Sequence, residues 1–170
     1  PARRPAAQSP ILTERGHAHV ARGTEPDRPA NSTMNVCIYG AGAIGGFIGA
    51  RLAARGHAVS AVARGATLAA LQARGLRLRT AGGELRADVR ATEDPAQLGP
   101  QDLVVVAVKG PAMPEVAARI APLLGPDTMV LTAMNGVPWW FFSGMAGPCA
   151  DQRLACLDPA GAIAAAIPFR

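Results

Sequence analysis

The sequence predicts an α/β domain: a doubly wound, mostly parallel β-sheet with a β-hairpin inserted into it. Three observations carry that expectation. A short apolar run, Val36-Cys37-Ile38-Tyr39, is followed at once by glycines at positions 40, 42 and 45, and such runs make strands buried on both faces. A second apolar run over 58–63 closes a β-α-β unit of about 30 residues. Further on, Leu103-Val104-Val105-Val106-Ala107-Val108 is the most strand-like stretch of the chain and has the composition of a central, buried, parallel strand.

Taken in order, residues 1–33 are rich in Pro, Ala, Arg and Thr with little apolar periodicity. They are expected to be a disordered extension of a domain spanning 34–170. Arg3 and Arg4 are not followed by the apolar stretch of a secretory signal, and Glu14, Glu25 and Asp27 count against a transit peptide. His17 and His19 form an H-x-H with no further ligand nearby, so no metal site is expected there.

Gly40, Gly42 and Gly45 have the spacing G-x-G-x-x-G. The first glycine allows a tight turn off the strand, the second lets a pyrophosphate approach the backbone, and the third lets the next helix lie close to the strand. That helix is expected over 47–55, its positive end facing the phosphates and Gly56 stopping it. The spacing alone is weak in a chain with 19 glycines. Its place between a strand and a helix, inside a β-α-β unit, favours dinucleotide binding over a turn that serves packing only.

About 20 residues past the fingerprint, an NAD site places Asp or Glu to accept from the ribose 2′-hydroxyl. This chain has Ala63-Arg64-Gly65 there. A guanidinium would pair with a 2′-phosphate, so Arg64 favours NADP(H) over the competing reading of a plain surface arginine. Thr67 is expected to cap a helix over 68–74 closed by Gly75, and 76–80 and 85–91 read as two strands joined at Ala81-Gly82-Gly83-Glu84.

Lys109 follows the strand over 103–108, at the carboxyl edge of the sheet where ligands bind, which favours a cofactor- or substrate-facing cation over the competing reading of a solvated loop cation. A helix is expected over 114–124 and a strand over 128–133, ending in Met134-Asn135-Gly136. The Asn135 amide can both donate to and accept from a ribose or a substrate carbonyl, although Asn-Gly is also an ordinary turn. Trp139-Trp140-Phe141-Phe142 gathers four of the seven aromatic residues. This run is expected to cover the sheet edge or to pack against a second domain or a second copy of the chain, with a substrate pocket as the alternative.

Composition narrows the function classes. The net charge of +5 comes from scattered arginines without basic runs or adjoining aromatic residues, so nucleic-acid binding is not expected. Cys37, Cys149 and Cys156 lack metal-ligand spacing and read as reduced thiols of a cytoplasmic protein. No apolar segment is long enough to span a bilayer.

The combination of Gly40-Ala41-Gly42-Ala43-Ile44-Gly45-Gly46, Arg64, Lys109 after Val-Val-Val-Ala-Val, Asn135-Gly136 and the hairpin over 75–85 resembles the ketopantoate reductase (2-dehydropantoate 2-reductase) family. The resemblance implies an N-terminal Rossmann domain that binds NADP(H), followed in the family by a helical domain, and reduction of a small 2-keto acid to the 2-hydroxy acid. It implies that Gly40, Ala41, Gly42, Ala43, Ile44 and Gly45 hold the pyrophosphate and Arg64 the 2′-phosphate. Lys109 and Asn135 then lie near the nicotinamide ribose, with Asn135 also reaching the substrate. Met134 departs from the polar residue common before Asn-Gly in the family. The family's proton-donating lysine belongs to the helical domain, so no catalytic residue is expected in these 170 residues, which are read as a truncated form. The alternative is an inactive NADP(H)-binding or partner-recruiting module. A different Rossmann enzyme, such as a β-hydroxyacid dehydrogenase or a methyltransferase, is disfavoured by Arg64 and the Lys109/Asn135 pair, since a methyltransferase would want an acid where Arg64 stands.

Overall fold

The computed structural model describes residues 32–169. Most of the expected extension over 1–33, with His17 and His19, lies outside the described residues. Five parallel strands form the main sheet in the order β5-β2-β1-β6-β7: β1 (Asn35–Tyr39), β2 (Ala58–Val62), β5 (Arg90–Thr92), β6 (Leu103–Val106) and β7 (Met129–Thr132). The chain starts in the middle, winds outward through β2 to β5, then crosses back to β6 and β7. A crevice therefore opens between the carboxyl ends of β1 and β6, where the winding reverses.

Strand alternation sends side chains to two different layers. Cys37, Tyr39, Val104 and Val106 face a cluster built with α3 (Met113–Arg119), α4 (Ala162–Ala166) and Trp139. Val36, Ile38 and Val105 face the opposite layer, with Ile48 and Leu52 of α1 (Ala43–Ala53). Burial on both faces is why β1 and β6 read as unbroken apolar runs. Ala50, Ala61 and Leu71 join α1, β2 and α2 (Gly65–Arg74) to Leu76 of the hairpin.

Several expected boundaries move. Helix α1 begins at Ala43 rather than at position 47, with Gly42 as its N-cap, and the amide of Gly46 already donates to the Gly42 carbonyl at 2.7 Å. The second half of the fingerprint is therefore helix; close packing on β1, not residue propensity, decides this. Gly56 sits just beyond the helix at φ +87°, in the left-handed region that ends helices. Helix α2 begins at Gly65, so Thr67 lies inside its first turn, and the N-cap is Arg64 without a side-chain cap.

The hairpin pairs β3 (Leu76–Thr80) with β4 (Gly83–Ala87) in a separate two-stranded sheet. Its second strand ends at Ala87, and β5 is a separate strand that pairs in parallel with β2. The hairpin thus does not occupy the place of a parallel strand; it lies over α1 and β5 follows it. Helix α3 stops at Arg119, and a 3-10 turn over Ala121–Leu123 replaces the rest of the expected helix, since Pro122 supplies no amide for a longer one.

Trp139 is buried in the cluster beneath α3 and α4, its indole N–H without an acceptor among the described residues. Trp140 stacks on Phe169 at 5.8 Å. These rings border a cleft of about 380 Å3 beside the edge strand β7, so Trp139 and Trp140 lie against that end of the sheet, whereas Phe141 is exposed and packs edge-on against Phe142. Among the described residues no helix is long and apolar enough to cross a membrane.

Candidate functional site

The fingerprint turn passes over the switch point of the sheet. The Gly40 amide donates to the Val62 carbonyl at 2.9 Å, which continues the pairing of β1 with β2. Its backbone then turns at φ +95°, and a Cβ there would stand 2.7 Å from Val108 Cγ1 and 3.2 Å from the Ala107 carbonyl carbon. Glycine is required by both the turn and the close approach. Gly45 is enclosed as tightly, against the Gly40 carbonyl oxygen, Ile38 and Ala107.

Gly42 differs from both, because a Cβ built on it meets nothing within 4 Å. The space before it is open. Gly42, Ala43 and Ile44 are exposed, while Ala41 is half-buried between α1 and the hairpin. No side chain caps the start of α1 and no acidic residue lies in its first turn. The first amides of a helix have no intrahelical acceptor and carry the positive end of the dipole. Here they adjoin an open surface at the sheet's carboxyl edge, which suits a pyrophosphate.

Arg64 follows β2 at the same edge. Its Nη1 donates to Glu115 Oε1 of α3 at 2.6 Å, with both side chains well exposed. Arg119, one turn along α3, reaches the same carboxylate oxygen at 3.8 Å and donates from Nη2 to the Glu93 carbonyl. These groups border a small cleft of about 110 Å3 together with Tyr39, Gly40 and Val62. Burial raises the Tyr39 phenol above its ordinary value, partly countered by Arg119. Neither Glu115 nor Arg119 was legible as a site residue. The i,i+4 spacing of Glu115 and Arg119 marks a helix pair, and only the fold brings it to Arg64.

Lys109 is exposed beyond β6, at the start of a 3-10 turn over Gly110–Ala112. Asn135 is exposed beyond β7, beside Gly136 at φ +99°. The fingerprint, Arg64, Lys109 and Asn135 thus all follow the carboxyl ends of parallel strands. Gly40 and Arg64 share the small cleft, whereas Lys109 and Asn135 do not border it. Among the described residues no group of three or more His, Cys, Asp or Glu side chains is placed to hold a metal ion.

Residues 36–138, more than half of the chain, match the family described as Ketopantoate reductase PanE/ApbA. A 2-dehydropantoate 2-reductase of Mesorhizobium japonicum is 51% identical over 131 residues, covering 76% of this chain and 40% of that protein. A crystal structure assigned as a ketopantoate reductase of Ralstonia solanacearum superposes with a TM-score of 0.76 at 59% identity, over 81% of this chain and 42% of that one. The ternary structure of D-mandelate dehydrogenase with NADH and anilino(oxo)acetate matches at a TM-score of 0.56 and 26% identity, over 62% of this chain and 35% of that one. The chain spans about two-fifths of the length of these relatives. The sheet order, the fingerprint at its switch point and this match agree on a Rossmann-like domain, and the chain belongs to the ketopantoate reductase PanE/ApbA family.

Proposed function

We propose that this chain is the NADP(H)-binding part of an oxidoreductase that reduces a 2-keto acid, 2-dehydropantoate or an analogue, to the 2-hydroxy acid. One observation carries the reading: the uncapped, acid-free start of α1 opens onto free space at Gly42, beside the switch point of the sheet. In this reading the backbone of Gly40, Ala41, Gly42, Ala43, Ile44 and Gly45 holds the pyrophosphate. Arg64 holds the 2′-phosphate by charge-assisted hydrogen bonds. Arg64 is also what favours NADP(H), since the D-mandelate dehydrogenase relative was solved with NADH.

When bound, the coenzyme supplies a hydride at its nicotinamide. Lys109 and Asn135 border the nicotinamide ribose, and the Asn135 amide donates to the substrate carbonyl, fixing its orientation. Lys109 is exposed, and a solvated ammonium stabilises little developing charge. These 170 residues alone therefore bind coenzyme but turn over slowly or not at all. Phe141, exposed within the aromatic run, belongs to the face on which a further domain or a second copy packs, and the protein works in the cytoplasm.

Calorimetric titration with NADPH and NADH tests the reading. The expected result is tighter binding of NADPH, with an Arg64→Ala variant losing about tenfold or more of that affinity, the scale of a hydrogen bond to a charged group. Absence of heat with both coenzymes on folded protein would end the proposal. Brisk NADPH-dependent reduction of ketopantoate by the 170 residues alone would overturn the statement on turnover.

A further inference from the structure

The end of β2 carries an arginine where an NAD site would carry an acid, yet a carboxylate does reach that place, delivered from α3. Glu115 Oε1 lies 2.6 Å from Arg64 Nη1 and 3.8 Å from Arg119 Nη1. All three side chains border the cleft that also touches Gly40 and Val62, at the ends of β1 and β2. They remain between 36 and 57% exposed, so the pairs exchange readily with a ligand.

We propose that Glu115 sets the coenzyme preference of this chain, acting as the acceptor for a ribose 2′-hydroxyl and as an internal competitor of a 2′-phosphate for Arg64 and Arg119. The inference rests on the coenzyme reading above and deepens it. The Arg64–Glu115–Arg119 cluster itself carries two guanidiniums against one carboxylate, and Glu93, which also borders the cleft, brings a second carboxylate nearby, so little positive charge is left over for a phosphate. A 2′-phosphate monoester, with a charge of about −1.5 to −2 at neutral pH, must take Arg64 from Glu115 and then endure the carboxylate beside it. A 2′-hydroxyl meets no such opposition: it donates to Glu115, as it would to the acid of an NAD site, while Arg64 stays paired. The pocket therefore holds one recognition group for each coenzyme, and the carboxylate narrows the gap that Arg64 opens. Arg119 is the second cation available to the phosphate once Glu115 is displaced.

Glu115→Gln and Glu115→Ala separate these roles on an exposed surface where neither change disturbs packing. NADPH and NADH affinities are measured by calorimetry for the wild type, both Glu115 variants and Arg64→Ala. Removing the carboxylate charge is expected to tighten NADPH by about five- to tenfold, the scale of one unit charge at about 4 Å in a watery setting. NADH binding weakens in Glu115→Ala, and Arg64→Ala moves the NADPH:NADH ratio the other way. A ratio within twofold of wild type in both Glu115 variants, with Arg64→Ala still lowering it, overturns this inference and leaves the coenzyme reading standing. Wild-type protein that binds neither coenzyme overturns both.

Discussion

Gly45 rests against the carbonyl oxygen of Gly40, so closely that a side chain at position 45 has no room. A Cβ there would also stand 2.9 Å from Ile38 Cγ2 and 3.1 Å from Ala107 Cβ. This contact seats α1 on β1 and aims its first turn across the end of β6. Gly45→Ala is therefore expected to lower unfolding stability by about 1–3 kcal/mol, the usual cost of overpacking. Gly42→Ala is expected to change stability by less than about 1 kcal/mol, because its backbone is ordinary and its Cβ meets open space. It should instead cost about tenfold or more in NADPH affinity by placing a methyl in the path of the pyrophosphate. Urea unfolding and calorimetry on the two variants separate the glycine that packs from the glycine that binds.

How much of this was legible depends on where each residue's partners lie. The interior strands were, because burial on both faces forces apolar runs such as Val104-Val105-Val106, all fully buried. The start of α1 was not. Gly45 and Gly46 are poor helix formers and read as loop, but Gly45 and Gly49 are the close-packing face of the helix, set against Ile38 and, at Gly49, Leu76. Strand β5 is three residues long with Thr92 its one buried member, too little pattern to part it from the hairpin before it.

The candidate site divides in the same way. The fingerprint and Arg64 are local signals, tied to turn geometry and to a fixed distance past a strand. Glu115 meets Arg64 across 51 residues of chain, and no periodicity encodes that contact. Asp158, outside the site, is hidden for a related reason as the residue whose carboxylate accepts from the first turn of α4. It stands four residues before an alanine-rich segment that holds only a five-residue helix, so no amphipathic pattern marked a helix for it to cap.

Cys37 is fully buried in β1. Burial pushes its thiol up from 9.0 to about 12, against smaller downward pulls from the Ser60 hydroxyl and the Val62 backbone. Only the thiolate is nucleophilic, so Cys37 is expected to be inert in the folded protein, whereas Cys149 and Cys156 are exposed. Labelling with a maleimide and mass measurement should show two modified cysteines in native protein and all three in denaturant. A third label acquired in native conditions, at the rate of the exposed pair, would mean that β1 is not the enclosed strand described above.

Asp158 accepts from the amides of Ile163 at 3.1 Å and Ala164 at 2.9 Å, capping α4, which packs on α3 through the buried Ile163. Burial pushes its carboxyl up, but the amides of Ala164, Ile163 and Ala162 and the charge of Arg153 together carry it below its ordinary 3.8. A carboxylate whose folded value is depressed stabilises the fold above its unfolded value and stops doing so as the pH falls through the folded one. Asp158→Ala is accordingly expected to cost about 1 kcal/mol at neutral pH, the typical loss of a helix cap. The gap between wild type and variant should stay constant on acidification down to about 3.8, then close below it as the wild-type carboxyl takes up its proton. Urea midpoints measured for both proteins across that range check the sign. A gap that widened in acid would show that Asp158 works there as a neutral hydrogen-bonding group and not as a charged cap.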